Sequence, residues 1–252
     1  IDNGANILAV AHCDTAFDKR LPVPFGVLRW DSGVETVFSG ALDDRLGVYA
    51  IMDFLPSLGL KYDVLLTDFE ESAATTAEDF VFDYPDKHYN WIFSLDRRGK
   101  EVVMYDYETI ALRKLCGDAG WGVSTGTFSD ISDMEDMGCK AFNFGVGYYD
   151  EHTEKCSVST IEFSKQMVKM LRFYTMYKDV EMPHAVSKVK SFKFSTSYRG
   201  YYDYGTGDST CNYCGCGLFK TELVDGFCQS CVDWYYDKYG EDITKKDKEK
   251  RD

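Results

Sequence analysis

Positive charge is scarce in this 252-residue chain: 28 Lys and Arg stand against 42 Asp and Glu, a formal net charge of −14. The imbalance is local. Residues 1–179 hold 17 basic and 30 acidic side chains, whereas residues 180–252 hold 11 and 12. An acidic body repels phosphate backbones and favours cations near any cleft it contains, which argues against nucleic acid as a main substrate. Long apolar runs are missing as well. No stretch approaches the roughly 18 to 20 uninterrupted apolar residues of a membrane span, and Ile1-Asp2-Asn3 shows no basic flank leading into an apolar run, the mark of an export signal. The expectation is a soluble, cytoplasmic protein with no membrane partner. An initiator Met is absent, so a processed chain or a piece of a longer product stays open. Internal repeats and heptads are lacking too, which argues against solenoids and coiled coils.

What remains has the make-up of a globular protein, with 44% hydrophobic residues and a length that suits a core domain plus a small appendage. The cysteines divide the same way. Cys13, Cys116, Cys139 and Cys156 are scattered, as expected of small buried hydrophobes in a reducing compartment, whereas Cys211, Cys214, Cys216, Cys228 and Cys231 crowd together.

Hydrophobic patterning along the first part alternates between strand and helix. Asn6–His12 is a short apolar run ending in polar residues, as a buried strand delivering side chains at its C-terminal end would be. Phe25–Trp30 and Val34–Phe38 flank Asp31-Ser32-Gly33, a hairpin signal. Arg45–Leu55 is apolar nearly all round and predicts a buried helix closed by Pro56 and Gly59. Strands are expected at Tyr62–Thr67, Trp91–Leu95, Val102–Tyr105 and Lys140–Val146, with helices near Thr75–Phe82 and Thr109–Cys116. Residues 160–177 predict an amphipathic helix with Ile161, Met167, Val168, Leu171 and Tyr174 near one face. The fold class expected is α/β: a mixed, mostly parallel sheet sandwiched by helices. In such sheets sites form beyond the carboxyl ends of the strands. The expected organisation is a catalytic domain over 1–179, a linker over 180–210, a Cys-rich module over 211–236 and a charged tail over 237–252.

Five apolar segments end in residues that suit divalent metals: Ala11-His12-Cys13-Asp14, Leu42-Asp43-Asp44, Asp68-Phe69-Glu70-Glu71, Ser94-Leu95-Asp96 and Asp150-Glu151-His152. Taken singly each is as well explained by solvation or a satisfied histidine, the reading given to His88 and His184. Their order carries the signal: His-x-Asp, Asp-Asp-x-x-Gly, Glu-Glu, Asp, then His. Two divalent ions held about 3.5 to 4 Å apart by a shared carboxylate can lower the pKa of a water and polarise a scissile carbonyl together. One objection stands: in a continuing strand Glu70 and Glu71 would point to opposite faces.

That ordered set resembles the co-catalytic zinc exopeptidases, metallopeptidase families 20, 28 and 42, over roughly residues 6–177. The resemblance implies a phosphorylase/hydrolase-like fold. It also implies two Zn²⁺ ions (or Co²⁺ or Mn²⁺), with His12 and Asp96 on one metal, Glu71 and His152 on the other, and Asp43 bridging both. Asp14 would orient His12 through the second ring nitrogen, Glu70 would be the general base, and Gly47 would allow close helix packing. Asp130, in Gly126-Thr-Phe-Ser-Asp130, is a candidate for ligand orientation or substrate amine contact, with a loop cap as the alternative. Only 56 positions separate Asp96 from His152, too few for the inserted domain of the resembling carboxypeptidases and tripeptidases, which favours a bare aminopeptidase-like core. Two departures are Ala73, where a Gly commonly follows the Glu pair, and the mere eleven residues before His12.

Cys211-x-x-Cys214 and Cys228-x-x-Cys231, thirteen residues apart, match a structural zinc ribbon in which four thiolates hold one Zn²⁺, with a redox pair or disulfide framework as competing readings. Cys216 is a spare ligand or a free thiol. The ribbon is expected to stabilise the fold or contact a protein partner, and a homo-oligomer is a further expectation. The function expected is hydrolysis of an amide bond, as a zinc aminopeptidase on peptide N-termini. The alternatives are an N-acyl amino-acid deacylase or deacetylase, and a non-catalytic adaptor built on a peptidase-like core.

Overall fold

The computed structural model describes residues 1–16, 26–31, 33–72 and 75–185, together with four two-residue strands between 209 and 228. The chain divides into two units, Ile1–Lys188 and Val189–Asp252. Within the first unit a six-stranded sheet is formed by β1 (Ile7–His12), β4 (Asp63–Thr67), β5 (Trp91–Arg97), β6 (Glu101–Val103), β7 (Gly122–Val123) and β8 (Ala141–Gly145), in the order β4-β1-β5-β8-β6-β7. The neighbours β4, β1, β5 and β8 run parallel, as do β6 and β7, while β6 meets β8 antiparallel. A second, antiparallel sheet holds β2 (Val27–Asp31), β3 (Val34–Phe38), β9 (Tyr148–Tyr149) and β10 (Ser157–Ser159), in the order β2-β3-β10-β9. The expected mixed, mostly parallel α/β architecture is what the chain adopts.

Burial on both faces explains why β1 and β5 read as continuous apolar runs. Alternate residues of β1 belong to two cores. Ile7, Ala9 and Ala11 pack with Trp91, Phe93 and Leu95 on one face, whereas Leu8 and Val10 pack with Ile92 and Ala141 on the other. The first face is covered by α1 (Leu42–Tyr49), α4 (Ile110–Asp118) and α5 (Thr160–Tyr177), the second by α3 (Ala77–Asp83) and the 3-10 turn at Asp130–Asp133. Fully buried side chains such as Trp91, Phe93 and Phe173 each contribute roughly 1.5 to 3 kcal/mol by leaving water.

Two helices differ from the sequence expectation. The first runs past its predicted end: it continues from α1 through a π-helical stretch, Ala50–Phe54, into α2 (Leu55–Ser57) and so takes in Pro56. The widened turn lies just ahead of Pro56, which supplies no N–H and crowds the carbonyl four residues back. Termination falls to Gly59, at φ 86°, where Leu60 N donates to Leu55 O and Gly59 N to Pro56 O, a left-handed cap that Gly adopts without a Cβ penalty. In α5 the buried stripe is Phe163, Met167, Met170, Phe173 and Tyr177, while Ile161 and Val168 are exposed. Helical spacing alone permits either stripe, and the aromatic cluster of Trp91, Phe142 and Phe144 against Phe173 selects this one.

Among the described residues no helix is long and apolar enough to cross a membrane. In the second unit β11 (Ser209–Thr210) pairs with β12 (Gly217–Leu218), and β13 (Leu223–Val224) with β14 (Phe227–Cys228).

Close backbone approach at the end of β8 supplies a test of this packing. A Cβ on Gly145 would lie 2.6 Å from the carbonyl oxygen of Gly99 and 2.9 Å from that of Glu101. Gly145→Ala is expected to destabilise the protein by about 1 to 3 kcal/mol, read from the midpoint of urea unfolding. An unchanged midpoint would contradict the arrangement.

Candidate metal centre

The carboxyl ends of β4, β1 and β5 form one rim of the sheet, and β1 lies between strands reached in opposite directions, the position at which open α/β sheets leave a crevice. His12 is the last residue of β1, and Asp96 the penultimate residue of β5. β4 stops at Thr67, and Glu70–Ser72 forms a 3-10 turn, so the Glu pair does not obey strand alternation. Asp43 and Asp44, joined by a cis peptide, depart from helical backbone at the start of α1. His152 lies in the turn between β9 and β10 at φ 58°.

These side chains converge. His12 Nε2 lies 3.2 Å from Asp43 Oδ1 and 3.4 Å from Asp96 Oδ1. On the other side, His152 Nε2 lies 3.2 Å from Asp43 Oδ2 and 3.0 Å from Glu71 Oε2. One carboxylate thus faces two imidazoles with its two oxygens. Glu70 Oε2 is 4.0 Å from His12 Nε2, outside that bridge. Asp14 faces His12 Nδ1 at 3.2 Å and also accepts the backbone N–H groups of Glu70 and Glu71 at 3.3 and 3.2 Å. The same carboxylate thus holds the turn through two hydrogen bonds and lies beside the ring, whose Nδ1 makes no hydrogen bond.

The donor set fits divalent cations on two counts. Ligand atoms about 2.0 to 2.2 Å from a tetrahedral zinc are separated by about 3.3 to 3.6 Å; the four contacts that His12 and His152 make with Asp43, Asp96 and Glu71 measure 3.0 to 3.4 Å, a few tenths of an ångström tighter at three of them. Buried acceptors also lack partners: Glu71 Oε1 and Asp44 Oδ2 have no hydrogen bond, a cost that cation binding offsets. Two groupings with metal-binding potential overlap here, His12-Asp43-Glu71 and His12-Asp44-Asp96.

Electrostatics points the same way. Burial, reinforced by Asp96, pushes Glu70 up to about 8. Burial also lifts Asp96 to about 7, with His12 opposing and Asp43 adding to the rise. Asp44 is raised far above the ordinary range by burial and then by Asp96. Burial opposes ionisation of Asp43, yet its bonds to His12 and His152 hold it below the usual carboxylate range. Burial likewise opposes a charge on His12, but Asp43 and Asp96 outweigh it and raise the imidazole strongly. His152 is lifted to about 10 by Asp43 and Glu71. The two imidazolium charges offset only part of the buried carboxylate charge, which is why Glu70, Asp96 and Asp44 shift upward.

Asp44 has a separate job. Its Oδ1 accepts the Gly47 N–H at 3.0 Å within the first turns of α1, and a Cβ on Gly47 would lie 2.1 Å from that oxygen. Gly47 is thus needed for the Asp44 carboxylate rather than for helix packing. Asp130 is buried, with Oδ2 accepting from Thr67 at 2.6 Å and Oδ1 from Thr75; hydroxyls take both its oxygens, and the cap of its turn is Ser129. His88 is exposed, and His184 packs its ring on Tyr107 beside Lys140. Cys211, Cys214, Cys216, Cys231 and Ala73 lie outside the described residues, and of Cys228 only the strand backbone is described.

Sequence reasoning missed the residues that hold Asp96. Asn143 Oδ1 accepts the Asp96 N–H at 3.2 Å, its Nδ2 donates to Tyr105 Oη at 3.2 Å, and Tyr148 Oη donates to the Asp96 carbonyl at 3.0 Å. The available signal was an amide in the middle of the apolar β8.

No protein-family model matches the chain, and no curated protein sequence matches it. Among solved structures it is similar to the TET1 peptidase of Pyrococcus horikoshii, at 18% identity over 59% of this chain and 52% of that one, TM-score 0.42. It is similar to the aminopeptidase PepT of Bacillus cereus, at 13% identity over 68% and 80%, TM-score 0.46, and to yeast aminopeptidase 1, at 16% identity over 61% and 47%, TM-score 0.45. The matched part is about half the length of the TET1 and yeast chains. What the site can do rests on its own donor atoms.

The charge set gives a pH signature. Glu70 and Asp96, raised from ordinary values of 4.5 and 3.8, withdraw stability as the pH rises from about 4 toward their folded values. His152, raised from 6.5, stabilises fully below 6.5 and loses this as the pH climbs toward 10. All three have the same sign. Chelator-treated protein is therefore expected to melt lower at pH 9 than at pH 5, by about 5 °C or more, and Glu70→Gln to flatten that slope. A melting temperature that rises with pH would contradict it.

Proposed function

We propose that the chain is a metal-dependent hydrolase of amide bonds, an aminopeptidase acting on peptide N-termini. The observation that carries this reading is Asp43, whose two oxygens each face a different imidazole at 3.2 Å. His12 and Asp96 would hold one ion, His152 and Glu71 the other, with Asp43 between them. Bound divalent ions supply Lewis acidity, lowering the pKa of a water and polarising a carbonyl.

The chain's own side chains do the rest. Asp14, 3.2 Å from His12 Nδ1, would orient the ring, and it holds the Glu turn through two backbone N–H groups. Glu70, near the centre but outside the Asp43 bridge, takes the proton from the attacking water and passes it to the leaving amine. Cations held by the neighbouring carboxylates would oppose its tendency to keep a proton. The N-acyl amino-acid deacylase reading uses the same residues and differs only in substrate.

The zinc ribbon over 211–236 belongs to the same proposal, supported by its two Cys-x-x-Cys knuckles. So do the linker over 180–210, the tail over 237–252, a protein or self-association partner for the ribbon, and a cytoplasmic setting that suits the free thiols of Cys13, Cys116, Cys139 and Cys156.

Chelation is expected to abolish hydrolysis and Zn²⁺ or Co²⁺ to restore it, with aminoacyl amides and N-acyl amino acids assayed side by side to choose between the substrates. Glu70→Gln is expected to lose at least about 100-fold in kcat while retaining its metals. Full activity in that variant would remove Glu70 as the base. About one zinc per chain, instead of about three, would favour the adaptor.

A further inference from the structure

The turn carrying Glu70 and Glu71 is fixed at two points, and the mechanism above uses only one. Its tip hangs on Asp14. Its neck is closed by Asp68 and Thr76, which exchange two bonds: Asp68 N donates to Thr76 Oγ1, and Thr76 N to Asp68 O, both at 3.1 Å. Beside this neck lies Asp130, from a segment more than fifty residues later. Its carboxylate takes one hydroxyl from each side, Thr67 at the end of β4 and Thr75 ahead of α3. Thr75 Oγ1 in turn accepts the Ala77 N–H at 3.1 Å, so the clamp reaches into α3. Thr67 pairs with His12 in the sheet. Asp130 therefore sets the neck relative to the strand that presents the first imidazole.

We propose that Asp130 is a positioning residue for the Glu70–Glu71 pair, holding shut the neck of their turn through the hydroxyls of Thr67 and Thr75. The inference rests on the hydrolase reading above. Asp130 is only 2% exposed, with both oxygens engaged, so its influence passes through the turn. A carboxylate is required because two donors converge on it. An amide keeps only one acceptor in the same volume, so just one of the two hydroxyls can still donate to it; the Thr67 hydroxyl can turn to the Ala11 carbonyl, 3.1 Å away, and the two sides of the neck are then no longer both donating to one group.

The test uses the full chain, with Asp130→Asn, Thr75→Val and Thr75→Ser beside wild type. Asp130→Asn and Thr75→Val are expected to lose about 10- to 100-fold in kcat with KM within about twofold, and to bind the second core zinc about 10- to 100-fold more weakly when stripped protein is titrated. Thr75→Ser, which keeps the hydroxyl, is expected to behave as wild type. The proposal is overturned if Asp130→Asn and Thr75→Val match wild type in kcat and zinc titration. It is equally overturned if their lost activity equals the fraction unfolded at the assay temperature while zinc affinity is unchanged, since that is a purely structural role. An active wild type with silent variants sinks the clamp alone. A wild type that neither hydrolyses amides nor binds zinc in its core sinks both the clamp and the hydrolase reading.

Discussion

Two imidazoles on opposite sides of one buried carboxylate impose the strictest demand in this molecule. Asp43 is 6% exposed and can ionise there only while positive charge stays on both sides. Each neighbour answers to that requirement. His12 must come from the end of an inner strand, His152 from a tight turn with left-handed backbone, and Glu71 from a turn that has left the strand. Negative charge accumulates faster than two protons balance it, as the upward shifts of Glu70, Asp96 and Asp44 record. A charge set of this kind favours cations near it.

The fold meets the demand by stiffness. β1 is buried on both faces and flanked by parallel strands, so the backbone of His12 has little freedom. β5 presents Asp96, whose amide and carbonyl are tied by Asn143 and Tyr148. The less regular contributors are held by side chains instead. Asp14 and Asp130 grip the Glu turn at tip and neck, and Arg98 pairs with Glu151 at 2.6 Å beside His152. A rigid sheet thus supplies two of the converging side chains, and pinned loops supply the others, so the cluster is held in place before anything binds it.

Much of this was readable from the chain itself. Apolar runs ending in His12, Asp96 and the Glu pair announced strands that stop at a common edge, and the alternation of such runs with helical stretches located the sheet. The Glu70–Glu71 geometry could not be read that way, because whether a strand stops one residue earlier depends on tertiary contacts such as those of Thr67. The exposed side of α5 was misjudged for a similar reason: Val168 and Phe173 are equally apolar, and only the aromatic wall around Trp91 decides between them. Asn143 escaped notice because a polar residue that serves another residue carries no spacing of its own, and Asp130, though singled out, could not be given its two threonine partners from sequence.

The claim at the centre is that one carboxylate lies between two cations, and diffraction measured at the zinc absorption edge on zinc-loaded crystals addresses it directly. The account requires two anomalous peaks about 3.5 to 4 Å apart, one on each side of Asp43, with His12 and His152 on different ions. A single peak in the core, or zinc confined to the cysteine module, would contradict it.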